Sequence, residues 1–364
     1  MGYCWVKMRN LVIKLIIWSS FKYLKQNLTK ENNMKNITKI LFVAITSLSL
    51  MLSAKAGELT VNGTAKATYN ATSGSVADNG IGITNELNFT ASGELDNGYT
   101  WSYSMELDPS TSGTNAATDG TAPGQAINDD TQISLTMNEL GTVKICVSEC
   151  GNNKKYAWDA SAYTSASDTG LSEGIVYPGD EGSYATLQYH TPELPFGTTA
   201  SIAHGNQKKD GQSGNSQGQA NGNSIEAYSL VTKPIDGLTI SGHYYDIQDF
   251  DDGITTEDQL EEGGSWGVEY AIGNFTAGYG KSYKAPEVSG ITAGATSVEY
   301  YENTGISLAF AVNDALSVSY TKEDGEVNYQ TTATASYDIG MTSVQAAYSL
   351  GGATLSIAQA DYDN

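Results

Sequence analysis

ISLAFAVNDALSVSY, residues 306–320, alternates with period two. Ile306, Leu308, Phe310 and Val312 are apolar, and Ser307, Ala309 and Ala311 between them are small. Asn313-Asp314 breaks the run, and Leu316, Val318 and Tyr320 then alternate with Ser317 and Ser319. Two strands with unlike faces, joined by a tight hairpin turn, are what this spacing predicts. In a soluble sandwich the apolar face fills a core. In a membrane barrel it meets lipid, and the small polar face lines a lumen.

The same alternation recurs from Gly57 onward. Leu59, Val61, Ala65, Ala67 and Tyr69 form one such face, as do Tyr99, Trp101, Tyr103, Met105 and Leu107. Trp266, Val268, Tyr270 and Ile272 form another, and so do Val344, Ala346, Tyr348 and Leu350. Short turns such as Asp96-Asn97-Gly98, Glu139-Leu140-Gly141, Gly273-Asn274 and Gly351-Gly352 alternate with long polar connections at 70–81, 109–130, 150–183, 205–222, 249–264, 284–297 and 322–335. Tight turns on one side and long loops on the other mark a meander threaded through a bilayer. The count is fifteen strands, the first and last running in the same direction. A closed antiparallel barrel has an even number, so this reading expects a C-terminally truncated chain that lacks a sixteenth strand.

Three features precede the strands. Met34–Lys39 is basic, Ile40–Leu52 is apolar, and Ser53-Ala54-Lys55-Ala56 supplies small residues in an A-x-A pattern. Residues 34–56 therefore read as a secretory signal peptide cleaved after Ala56. Residues 1–33 read either as sequence upstream of a true start at Met34 or as part of a long leader. The strand region then begins at Gly57. From there on the chain holds ten lysines, no arginine and 40 acidic residues. No basic face for nucleic acid can be assembled from that inventory, whereas cations are drawn to it. Tyrosine dominates the aromatics, 23 against 7 Phe and 5 Trp, which suits a membrane–water interface. Cys146 and Cys150 are the only cysteines of the strand region. Export places them in an oxidising compartment. In a straight strand their Cα atoms would lie roughly 13 Å apart, so a disulfide requires the chain to bend there.

Taken together, the leader, the first strand GELTVNGTAKATYN (57–70), the seven turn-and-loop alternations and the long third loop after Cys150 resemble the general porins of the Gram-negative outer membrane. The likeness covers nearly all of residues 57–364. It implies an all-β, sixteen-stranded, transmembrane up-and-down barrel that assembles as a homotrimer in lipid and lipopolysaccharide and passes small hydrophilic solutes. It also implies that residues 150–183 fold inward to narrow the pore. The third loop lacks a PEFGG-like signature, and the absence of arginine means that no basic ladder can be carried over. The candidate constriction is therefore acidic: Asp159, Asp168, Glu173, Asp180 and Glu181 on the loop, facing Lys66, Glu86, Glu106 and Lys144 on the wall. The alternative for these wall residues is that they are merely solvated lumen side chains. An excess of lumenal carboxylates favours cations.

Chemistry beyond conduction has little footing. The histidines His190, His204 and His243 form no Ser-His-Asp order or HExxH motif, and no phosphate loop is present, so neither an enzyme nor a cofactor is expected. Asp246 to Asp252 and Glu257 to Glu262 are rich in oxygen ligands but lack EF-hand spacing. They read as a solvated acidic fringe facing lipopolysaccharide, with no metal site. The competing class is a secreted or surface β-structural or adhesion protein without a channel, which would be soluble without detergent.

Overall fold

The computed structural model describes residues 58–71, 79–109, 126–147, 160–162, 175–178, 184–208, 224–248, 259–288, 297–330 and 336–363. The expected leader and its cleavage point lie outside them. Fifteen strands form: β1 (Glu58–Ala71), β2 (Asn79–Glu94), β3 (Thr100–Pro109), β4 (Ala126–Thr136) and β5 (Thr142–Val147). After the third loop come β6 (Tyr184–His190), β7 (Thr199–Lys208), β8 (Ser224–Thr232), β9 (Leu238–Gln248) and β10 (Glu262–Ile272). The last five are β11 (Phe275–Ala285), β12 (Val298–Ala311), β13 (Leu316–Tyr329), β14 (Tyr337–Ser349) and β15 (Thr354–Asp363). Each pairs antiparallel with its neighbour in chain order, in one sheet from β1 to β15. β1 and β15 are its two edges and are not joined to each other.

The opening stretch folds as its spacing predicts. Ile306 pairs with Lys322, Leu308 with Tyr320 and Phe310 with Val318 across β12 and β13. The Asn313 side-chain oxygen accepts from the backbone N–H groups of Ala315 and Leu316, at 2.9 and 3.0 Å. Such local capping is why Asn suits a tight turn. At two other turns, Gly141 and Gly237 have φ of 82° and 76°. A β-carbon at either would strike a backbone carbonyl of the next hairpin, His190 O or Ala271 O, so only glycine fits.

Polarity is inside out. Ile306 and Leu308 are 46 % and 58 % exposed, while Ser307 between them is 1 % exposed. Every strand from β6 to β14 contributes at least one buried polar side chain to the Ser307 face, among them Gln188, Ser229, Ser265, Thr321, Ser343 and Gln345. The opposite face exposes Ile202, Leu230, Tyr279, Val318, Val344, Leu355 and Ile357. One face buried across nine successive strands is a concave face, and here it is the polar one. Soluble sandwiches bury the other kind.

Aromatic pairs bound the apolar band. Phe275 and Phe310 stack at 4.5 Å beside the turns, and Tyr283 and Tyr300 at 5.7 Å nearer the loops. Eight residues along β11 separate Phe275 from Tyr283. That is roughly 27 Å along the strand, or ~20 Å of height at a tilt near 40°, close to the ~25 Å band of an outer-membrane barrel.

Sequence patterning placed the loop-side strand ends too early. The expected loop 322–335 is strand as far as Tyr329, and the expected loop 284–297 begins only after Ala285. Strand β13 stays regular there, but its outward face turns from Val318 and Tyr320 to Lys322, Asp324 and Glu326. Above the lipid band water contacts both faces, so the apolar alternation ends before the ladder does.

We expect Ile306→Lys, midway along the outward face, to cost about 2–4 kcal/mol of folding stability in lipid vesicles, and Ser317→Lys on the concave face less than about 1 kcal/mol. Denaturant titration of vesicle-folded protein measures both; equal costs would refute the assignment of faces. The folded protein should also require detergent and migrate differently on gels before and after boiling. A detergent-free soluble monomer would contradict the outward apolar band.

Candidate functional site

The site is the concave face and the loop laid against it. Residues 160–162 and 175–178 belong to the connection from β5 to β6, yet they contact strands three to seven places beyond β6 in the sheet. The Ala160 N–H donates to Ser307 Oγ at 2.9 Å, and the Ala162 N–H to Ser319 Oγ at 2.7 Å. Tyr177 donates its hydroxyl to Glu323 Oε2 at 2.6 Å. The same oxygen accepts from Asn303 Nδ2, also at 2.6 Å. Glu323 is 2 % exposed, and burying a carboxylate requires such donors. Ile175 lies over Gly325, where a β-carbon would be 3.4 Å from Ile175 Cγ1. Pro178 lies over Gly263 and beside Tyr245, where a β-carbon would be 3.0 Å from Pro178 Cβ. The inward fold of this loop thus holds for its described residues.

Further along the wall, Tyr245 donates to Glu261 Oε1 at 2.8 Å, and Lys284 pairs with the same oxygen at 3.2 Å. Ala203, Ile225, Ala227, Tyr245 and Ile247 make a buried apolar cluster on the concave side of β7–β9. No sequence reading placed apolar side chains there, because the outward-facing residues of these strands, Ile202, Leu230 and Tyr244, dominate the pattern.

The expected wall residues take their places by register. Lys66 on β1 lies opposite Thr84, and Glu86 on β2 opposite Thr64, whose hydroxyl bonds it at 3.2 Å. Glu106 on β3 lies opposite Asn88. Lys144 on β5 lies between Ser134 and Gln188. Gln188 in turn bonds His190 Nε2 at 2.9 Å. These four therefore share a face over β1, β2, β3 and β5. Their expected partners Asp159, Asp168, Glu173, Asp180 and Glu181 lie outside the described residues. Cys146 is buried and disulfide-bonded, and Cys150, the expected partner, also lies outside them. Among the described residues no group of three or more His, Cys, Asp or Glu side chains could hold a metal ion.

Sequence reasoning missed Ser307, Ser319 and Glu323 as loop contacts, and Asn303 as the donor beside Glu323. Glu323 had an available signal: it keeps the inward phase of Ser319 and Thr321, once β13 is carried past Lys322.

Comparison with known proteins gives a consistent result. No curated protein sequence matches the chain. Among solved structures it resembles Salmonella typhi OmpF in complex with daunomycin, with 15 % identity and a TM-score of 0.60, covering 81 % of this chain and 87 % of that one. It also resembles the anion-selective porin from Comamonas acidovorans, with 12 % identity and a TM-score of 0.54, covering 84 % and 89 %. OmpT of Vibrio cholerae in its trimer form matches with 11 % identity and a TM-score of 0.53, covering 85 % and 90 %. These likenesses show the fold. The family model described as Gram-negative porin matches residues 42–364, and the chain belongs to the Gram-negative porins.

Proposed function

We propose that this porin is a water-filled outer-membrane channel for passive diffusion of ions and small hydrophilic solutes, with a preference for cations. The observation that carries the reading is the third loop held against a concave polar wall at Ser307, Ser319 and Glu323. A crossbar inside a polar lumen narrows a passage and leaves its chemistry to the lining. The cation preference rests on that lining. Glu86, Glu106 and Glu269 have the inward phase of their strands, and Glu261 accepts from the inward-facing Tyr245, against Lys66, Lys144 and Lys284. The five third-loop acids, Asp159, Asp168, Glu173, Asp180 and Glu181, outnumber Lys154 and Lys155 on the same loop. In a narrow low-dielectric passage such an excess acts directly on permeant ions.

The homotrimer is proposed from the fold shared with the trimeric Vibrio cholerae protein. Contact with lipopolysaccharide is proposed from the outward loop-side rim, where Glu302, Asp324 and Glu326 stand among Lys281, Lys322, Tyr283 and Tyr300. Export by the segment 34–56 remains part of this reading.

In planar bilayers under a salt gradient, the reversal potential should have the cation-preferring sign. The double variant Glu86→Gln, Glu106→Gln should move it toward zero. An anion-preferring sign in the unaltered protein would overturn the charge argument and leave the channel standing.

A further inference from the structure

We infer that Tyr301, Tyr329 and Tyr337 form a stacking site for neutral sugar rings on the lumen wall. The inference rests on the channel reading and names a class of solute for it. Register puts all three side chains on the concave face. Tyr301 on β12 and Tyr337 on β14 pair with Val327 from either side, and Val327 is 3 % exposed among the inward residues of β13. Tyr329 keeps the same phase two residues further along β13. Its ring lies 6.3 Å from that of Tyr337, tilted by 40°. Ile339, the next residue on this face of β14, is buried. Tyr337 itself is 38 % exposed, and Tyr301 and Tyr329 are half-buried. The floor beneath the rings is therefore dry, while the rings stay reachable from the lumen.

Location decides what such a cluster can do. Tyr283 and Tyr300 stand on the outward face, where an aromatic pair at the edge of the lipid band serves as an interfacial anchor. No lipid meets the concave face, so that role is closed to Tyr301, Tyr329 and Tyr337. Closer to the turns the same face carries Ser307, Ser319, Thr321, Ser343 and Gln345. A solute passing there finds hydrogen bonds, and it finds flat aromatic faces at the tyrosines. A pyranose ring matches both, because it has a rim of hydroxyls and two faces of C–H groups. Those C–H groups carry slight positive charge and settle on the negative face of an aromatic ring. The tyrosine hydroxyls can donate to the sugar's rim or accept from it. Val327 and Ile339, the inward side chains among the three rings, are uncharged. Glu86 and Glu106 stand far along the sheet on β2 and β3. A neutral ring therefore fits this place better than an ion does. Ile175 and Val176 of the third loop border Tyr301 and Val327, so a sugar held here waits on the loop side of the narrowed section.

The full chain in planar bilayers tests this. Glucose in rising concentration should lower the single-channel conductance along a saturating curve and add sugar-dependent current noise. Sorbitol at matched viscosity has the hydroxyls without the ring, and should lower the conductance only as far as the viscosity does. Tyr337→Leu keeps apolar bulk and loses the ring face; it should raise the half-saturating glucose concentration roughly threefold or more. Tyr337→Phe keeps the ring and should match the unaltered protein, as should Tyr320→Leu on the outward face of β13. Should Tyr337→Leu fail to fold, Tyr301→Leu is held to the same criterion. A viscosity-only response to glucose, an equal response to sorbitol, unchanged half-saturation in the leucine variant, or a Tyr337→Phe as impaired as it overturns the inference while the channel reading survives. Absence of any channel from the unaltered protein overturns both.

Discussion

Backbone hydrogen bonding in a medium without water governs this structure. A strand in hydrocarbon can satisfy its N–H and C=O groups only through its neighbours, and the ladder here runs without a break in order from β1 to β15. Once that ladder exists, the face of each side chain follows from its parity. A slip of β13 by one residue against β12 would turn Ser319 to lipid and Val318 to the lumen. The register Leu308–Tyr320 and Phe310–Val318 is therefore enforced over its whole length. That is why serines with little intrinsic preference for strand can fill one face of it.

The same rigidity explains how a loop can be used as a machine part. A third loop resting on flexible supports would sample many positions. Its described residues instead rest on strand residues whose Cα positions are fixed by pairs on both sides, as Ser307 is by Gly278 and Thr321. Small side chains matter at these points. Serine and glycine let the loop backbone approach the wall closely, and a seryl hydroxyl can take an N–H that would otherwise be stranded away from water.

Legibility from sequence was uneven for physical reasons. The turn side was clear, because tight turns need Gly or Asn at left-handed positions and leave few alternatives. The lipid band was clear, because period two survives wherever one face meets hydrocarbon. The loop-side strand ends were misplaced, since Lys322, Asp324 and Glu326 face outward into water and carry no apolar mark. Glu323 was hidden by the same effect. The Ala160 and Ala162 contacts could not have been read at all. Their donors are backbone N–H groups, identical for every residue but proline, and their acceptors are two serines among many on the lumen face. Lys66, Glu86, Glu106 and Lys144 were placed on one face by phase alone.

Surface ion pairs add little to the stability of this barrel. Lys281–Glu302 at 2.6 Å and Lys322–Asp324 at 2.8 Å stand partly exposed on the outward rim, where such pairs contribute little and are screened by salt. Charge in this protein bears on transport more than on folding. An anion-selective porin shares the architecture, so the sheet itself does not choose the sign of the ion. That choice falls to side chains that can change without disturbing a single ladder bond. A lining without arginine, on a wall whose loop is held by serine hydroxyls and one clamped carboxylate, separates the two tasks. Ser307, Ser319 and Glu323 hold the loop, and the remaining carboxylates are left to set the field.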